Sequence, residues 1–126
     1  MKFARYTFFI AGIYGVIVLV PQYFLETKIG IDQPPAITHP EFFYGFVGLA
    51  LVFQLVFFAI GSDPVKYRRL MLPSILEKLA FLIPTAILYL QSRVAGPMLA
   101  AALVDGFWGV LFTVSFLKTR TDQTLS

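Results

Sequence analysis

Four apolar runs, at residues 6–25, 41–61, 74–93 and 97–117, are separated along this chain by short polar clusters. At about 1.5 Å of rise per residue, a helix over each run spans a hydrocarbon core of about 30 Å. Open strands are excluded inside lipid because every backbone N–H and C=O must be paired within the segment, and four short strands cannot close a barrel. The pattern therefore predicts an all-α fold, a four-helix transmembrane bundle forming a single integral membrane domain. Residues 118–126 are expected to be a polar cytoplasmic tail.

Punctuation residues place the ends of these elements. Thr38-His39-Pro40-Glu41 has the form of a capping box, with Thr38 and Glu41 as the reciprocal caps and proline tolerated in the first turn. Ser74-Ile75-Leu76-Glu77 has the same form, with Ser74 and Glu77 as caps of the third span. Gly96-Pro97 breaks the chain between spans three and four and makes them an antiparallel hairpin. Asp63-Pro64 is suited to start a short juxtamembrane helix between spans two and three, running to Leu72 along the headgroups. Residues 26–40 form the one long connection, and Gly30 with Pro34-Pro35 argues against regular structure there. Small residues at Ala11 with Gly15, Gly45 with Gly48, and Ala102 with Gly106 and Gly109 mark sites of close helix approach.

Charge adds a direction. Of the ten basic residues, Lys2, Arg5, Lys66, Arg68, Arg69, Lys78, Lys118 and Arg120 fall on one side of an alternating bundle, leaving Lys28 and Arg93 on the other. The positive-inside rule then puts both termini in the cytoplasm. The first run opens with Lys2 and Arg5 as a signal peptide does, yet no small-residue cleavage motif follows Val20, so it is expected to be a retained helix. Composition agrees, with 58% hydrophobic and 13% charged residues. The chain has no cysteine, which excludes disulfides, thiolate metal sites and cysteine nucleophiles. No Gly-rich phosphate loop or basic aromatic stripe is present, so nucleotide and nucleic-acid binding have no support.

Ionisable groups within a span are the first place to look for chemistry, because a charge at the helix centre costs about 2.5–3.5 kcal/mol even on the mildest scale. Asp105 lies roughly 12 Å below the nearer end of span four. It shares a helical face with Trp108, and Thr85, Tyr89 and Tyr14 fall at similar depth, so these five make a ligand or packing site within the bundle. Lys66, Arg68, Arg69 and Lys78 are expected at lipid headgroups, Lys78 by extending its stem to the cytoplasmic surface. On these boundaries Lys78 and Asp105 differ by about 13 Å in depth, which argues against a direct pair. Gln54 is placed to hydrogen-bond to a neighbouring helix. His39 and Glu41 are too few to hold a metal, and Arg93 is near enough to pair with Glu41. No metal and no cofactor are expected.

The runs His39-Pro40-Glu41-Phe42-Phe43-Tyr44-Gly45, Asp63-Pro64-Val65-Lys66-Tyr67-Arg68 and Leu76-Glu77-Lys78, followed by Asp105, resemble those of small four-helix bacterial membrane proteins. That resemblance covers spans two to four and implies the topology and a bacterial inner (cytoplasmic) membrane, but no activity. A looser likeness links the chain to DoxX-like and sterol-isomerase-like (EXPERA) four-helix proteins. The latter use acidic residues in a membrane cavity; Glu77 and Asp105 are the only positions here that could play such parts, and no catalytic residue is carried over. The expected function is a non-enzymatic membrane protein, either an accessory subunit of a membrane complex or a binder of a lipid-like apolar ligand. Its partners would be membrane lipids and other membrane subunits or further copies of itself. The alternative is a small membrane enzyme or carrier for an apolar substrate, with Asp105 handling protons.

Overall fold

The computed structural model describes the backbone of residues 2–125 and the side chains of residues 2–119. Among the described residues five α-helices are formed: α1 (Lys2–Leu19), α2 (Glu26–Asp32), α3 (Pro40–Ser62), α4 (Met71–Leu90) and α5 (Gly96–Leu125). With short 3₁₀ extensions of α1 and α4, four segments are long and apolar enough to cross a membrane: Lys2–Phe24, Pro40–Ser62, Arg68–Leu90 and Gly96–Thr119. This is a multi-pass, all-α four-helix bundle, as the apolar runs predict.

Residue pairs set each helix antiparallel to its neighbour. Between α1 and α3, Gly15 lies against Gln54, Gly12 against Phe58 and Gly61 against Phe9. Between α4 and α5, Gly106 lies against Leu82 and Gly109 against Lys78. Between α1 and α5, Tyr14 meets Trp108 with ring centroids 5.9 Å apart, and the Lys118 ammonium sits 4.5 Å over the Phe3 ring. The helices thus follow the order α3, α1, α5, α4, and α3 and α4 touch sparingly. The termini and the 63–67 turn share one end of the bundle, and α2 occupies the other.

The core lies in the half nearer the termini, built from Ala4, Phe8, Ala11, Phe57, Ile60, Met71 and Phe112. Phe8 stacks on Phe112 at 4.2 Å, and Phe57 meets both edge-on at 6.0 and 4.9 Å. Such ring pairs contribute about 0.5–1.5 kcal/mol each beyond their area. Since lipid is as apolar as the core, close packing rather than water exclusion holds the helices together. Gln54 illustrates the point. Its side chain is buried against Gly15, but its Nε2 donates to Ala50 O of its own helix at 2.7 Å, while Oε1 has no hydrogen-bond partner. The expected interhelical bond is not made; a glycine opposite supplies room and no donor.

Several boundaries differ from the sequence reading. α3 starts on Pro40 with His39 as its N-cap residue and no side-chain cap bond. Thr38 is therefore one position too early to cap, and Glu41 lies 3.0 Å from His39 Nδ1 instead. α4 starts at Met71 after a 3₁₀ turn over Arg68–Leu70, so Ser74 is inside the helix and donates to Leu70 O at 2.8 Å. Pro73 falls in the first helical turn, where its missing N–H leaves nothing unsatisfied. Ser74 and Glu77 are consequently not caps, and the juxtamembrane helix reduces to that 3₁₀ turn. α4 ends in a Schellman turn, with Ser92 at a φ of 59°, Ser92 N bonded to Tyr89 O at 2.9 Å and Arg93 N to Leu88 O at 2.8 Å. Arg93 then bonds to Gln91 and not to Glu41. The connection expected to be irregular contains α2, and α5 carries helical backbone through the expected tail to Leu125. The side chain of Arg120 and those that follow lie outside the described residues.

The glycine contacts give a direct test. A β-carbon at Gly15 would overlap the Gln54 amide, whereas one at Gly45 meets nothing within 4 Å. Gly15→Val is expected to cost about 1–3 kcal/mol and lower the thermal unfolding midpoint in detergent, while Gly45→Ala does not lower it.

Candidate functional site: a charged centre inside the bundle

Lys78 sits about 15 Å from the Arg68 end of its span, near mid-membrane depth. Its side chain is 7% exposed, and its Nζ lies 3.6 Å from Glu77 Oε2 and 3.6 Å from Asp105 Oδ1. The contact corrects two expectations, that Lys78 extends to the headgroups and that it lies too far from Asp105 to pair. The physical reason is the register of α4 on α5. Helix α4 begins before Ser74, which moves Lys78 deeper. The Lys78 β-carbon then faces Gly109, where a β-carbon would lie only 3.4 Å away. From there the stem runs along α5 toward Asp105, one turn or about 6 Å further from the near surface. Gly109 therefore admits the stem, and Asp105 draws the ammonium inward.

Aromatic rings complete the surroundings of the ammonium. Its Nζ is 5.1 Å from the Phe57 ring centroid and 6.0 Å from that of Phe112. Both belong to the core stack, so the cation rests on the floor formed by the best-packed part of the bundle. Cation–π contact adds about 0.5–2 kcal/mol, with the larger values where water is excluded. The carboxylates are less enclosed than the ammonium, with Glu77 18% and Asp105 24% exposed in their side chains. Glu77 Oε2 has no hydrogen-bond partner beyond the longer ionic contact. Two acidic side chains share one ammonium, and the buried Glu77 Oε2 is left as an unfilled acceptor.

The remaining predicted residues divide. Trp108 contacts Tyr14 and approaches Phe112 at 6.4 Å, forming an aromatic wall between α1 and α5. Thr85 is buried and Tyr89 is 42% exposed. Among the described residues, Asp105 is engaged by the Lys78 ammonium and by none of the hydroxyls of Thr85, Tyr89 and Tyr14. Of the headgroup candidates, Lys66 and Arg69 are exposed at the terminal end. Arg68 is committed elsewhere. Its Nε and Nη2 donate to Phe116 O at 3.1 and 2.9 Å, Nε also reaches Thr119 Oγ1 at 3.2 Å, and the guanidinium lies 3.6 Å over the Phe116 ring. It clamps the start of span three to α5. No group of histidines and carboxylates able to hold a metal occurs among the described residues.

Sequence reasoning singled out Asp105 but separated it from Lys78. The available signal was the glycine one turn after Asp105, which can accept a long side chain from a facing helix. No protein-family model matches this chain, and neither curated proteins nor solved structures match it. The reading of the site therefore rests on its own chemistry.

Removing the ammonium strands two carboxylates in low dielectric, whereas neutralising one carboxylate leaves Lys78 paired with the other. Lys78→Met is expected to cost about 3–5 kcal/mol, and Asp105→Asn clearly less, as measured by thermal unfolding of both variants in the same detergent.

Proposed function

We propose that this chain is a non-enzymatic binding protein of a bacterial cytoplasmic membrane, which takes the polar end of a lipid-like molecule on the Glu77, Lys78 and Asp105 centre. One observation carries the proposal: a charged cluster at mid-membrane depth whose lysine is enclosed while the side chains of Glu77 and Asp105 stay partly exposed. A purely structural ion pair in lipid gains from having both partners covered, since a partly open carboxylate keeps an unfilled hydrogen-bonding capacity. A ligand with a hydroxyl or amine head and an apolar body suits two partly exposed acidic side chains in such a place. The sparse contact between α3 and α4 supports lateral entry from the bilayer.

A second reading is that the same centre moves protons for a carrier or enzyme acting on an apolar substrate. It is favoured by the presence of three ionisable groups in contact where a lone Asp105 was expected, since relays chain several such groups. Extraction of small molecules from the protein purified with its native lipids separates the two. A binder is expected to release a defined amphiphile at least fivefold enriched over bulk lipid, and Asp105→Asn to lose that enrichment while its helix content is kept. Recovery of bulk lipid alone, together with proton uptake by proteoliposomes that depends on Asp105, would contradict binding and favour the relay.

Both termini are assigned to the cytoplasm. Lys2, Arg5, Lys66, Arg68, Arg69 and Lys118 lie at the terminal end of the bundle, against Lys28 and Arg93 at the α2 end, and such an excess faces the cytoplasm. The absence of native cysteine makes this simple to check. In intact cells a membrane-impermeant maleimide is expected to label Thr27→Cys and leave Ser62→Cys unlabelled; the reverse pattern would invert the topology.

A further inference from the structure

The α2 end of the bundle carries a wide-open cavity of about 690 Å³ that the charged centre does not use. Its walls come from the end of span one, from α2 and from the first turns of α3, and its lining includes Tyr23, Phe24, Glu26, Lys28, Asp32 and Tyr44. Tyr23 and Tyr44 stack with centroids 6.0 Å apart and planes 19° from parallel. Gly48 fixes one of these rings, because the Tyr23 hydroxyl lies 3.3 Å from where its β-carbon would stand.

The charges in the cavity are unequally satisfied. Lys28 Nζ is 2.8 Å from Asp32 Oδ2, one turn along α2, and this carboxylate raises the lysine's titration and keeps it charged. Glu26 also lines the cavity, is half-buried and forms no ion pair among the described residues. The Tyr44 phenol faces it. The walls therefore offer aromatic rings beside one carboxylate that lacks a counter-ion. Aromatic rings attract an organic cation through their negative faces, and an adjacent carboxylate supplies its counter-charge.

We infer that this cavity binds an organic ammonium group, held by Glu26 and by the rings of Tyr23 and Tyr44. Two sources share that chemistry, the amine headgroup of a membrane lipid and a free amine in the aqueous phase. The cavity opens where span one ends, and Phe24, 83% exposed, provides an apolar lip for the chain of a lipid.

The test uses the full chain in detergent, with an equimolar mixture of phosphatidylethanolamine and phosphatidylglycerol followed by native mass spectrometry, and with tetramethylammonium chloride followed by tyrosine ring NMR shifts. The unmodified protein is expected to retain phosphatidylethanolamine at least fivefold over phosphatidylglycerol, with tetramethylammonium competing. Glu26→Gln, which preserves size, and Tyr44→Leu are each expected to remove that preference. Glu41→Gln, at the same end but outside the cavity, is expected to retain it. Binding of tetramethylammonium that depends on Glu26, without a lipid preference, would identify a free amine as the source. The inference is overturned if neither probe binds better than phosphatidylglycerol or sodium, or if Glu26→Gln leaves both unchanged.

Discussion

An ammonium at the middle of an apolar bundle must find opposite charge or leave, and here Lys78 finds it between Glu77 and Asp105. An unpaired charge at that depth is among the most expensive features a transmembrane helix can carry. The pairing therefore constrains the arrangement around it. Glycine opposite the lysine stem at Gly109 and opposite Leu82 at Gly106 fixes how α4 lies on α5. The same register brings Phe57 and Phe112 under the ammonium, which ties the pair of α4 and α5 to the ring stack shared with α1 and α3.

The rest of the bundle follows from how helices cohere without a hydrophobic drive. Glycines on α1 and α3 admit the Gln54 amide and the Phe58 and Phe9 rings, so large side chains are seated against backbone. At the terminal end, Arg68 bonds to the Phe116 carbonyl and Thr119 hydroxyl, fastening the turn before α4 to α5. Tight packing is thus concentrated in one half. The charged centre lies at the boundary of that half, and beyond Lys78 α4 buries only Thr85.

The four spans were legible because apolar runs of bilayer length admit one backbone solution in lipid. Asp105 was legible as an ionisable residue too deep to cap a helix. Its partner was not, for two physical reasons. The start of α4 was read from Ser74 and Glu77, yet Pro73 fits within a first turn, so the helix begins earlier and Lys78 lies deeper. The direction of a lysine stem is also not written in its own helix; it depends on Gly109, a residue of another. The bonds of Arg68 to α5 were not legible either, since a basic residue beside the membrane suits a phosphate as well as a carbonyl. The expected caps failed because capping boxes specify spacing but not which residue takes the cap conformation. The cavity beside α2 was invisible, as it joins Tyr23, Glu26 and Tyr44 from three separate elements.

The account depends most directly on where the Lys78 ammonium resides in a bilayer. Solid-state NMR of the protein in lipid vesicles, with ¹⁵N on lysine side chains and ¹³C on carboxylates, reports its neighbours. Through-space cross-peaks from Lys78 Nζ to the Asp105 and Glu77 carboxyl carbons are the predicted result. A cross-peak to lipid ³¹P in their place would show the lysine at the headgroups and would contradict the charged centre.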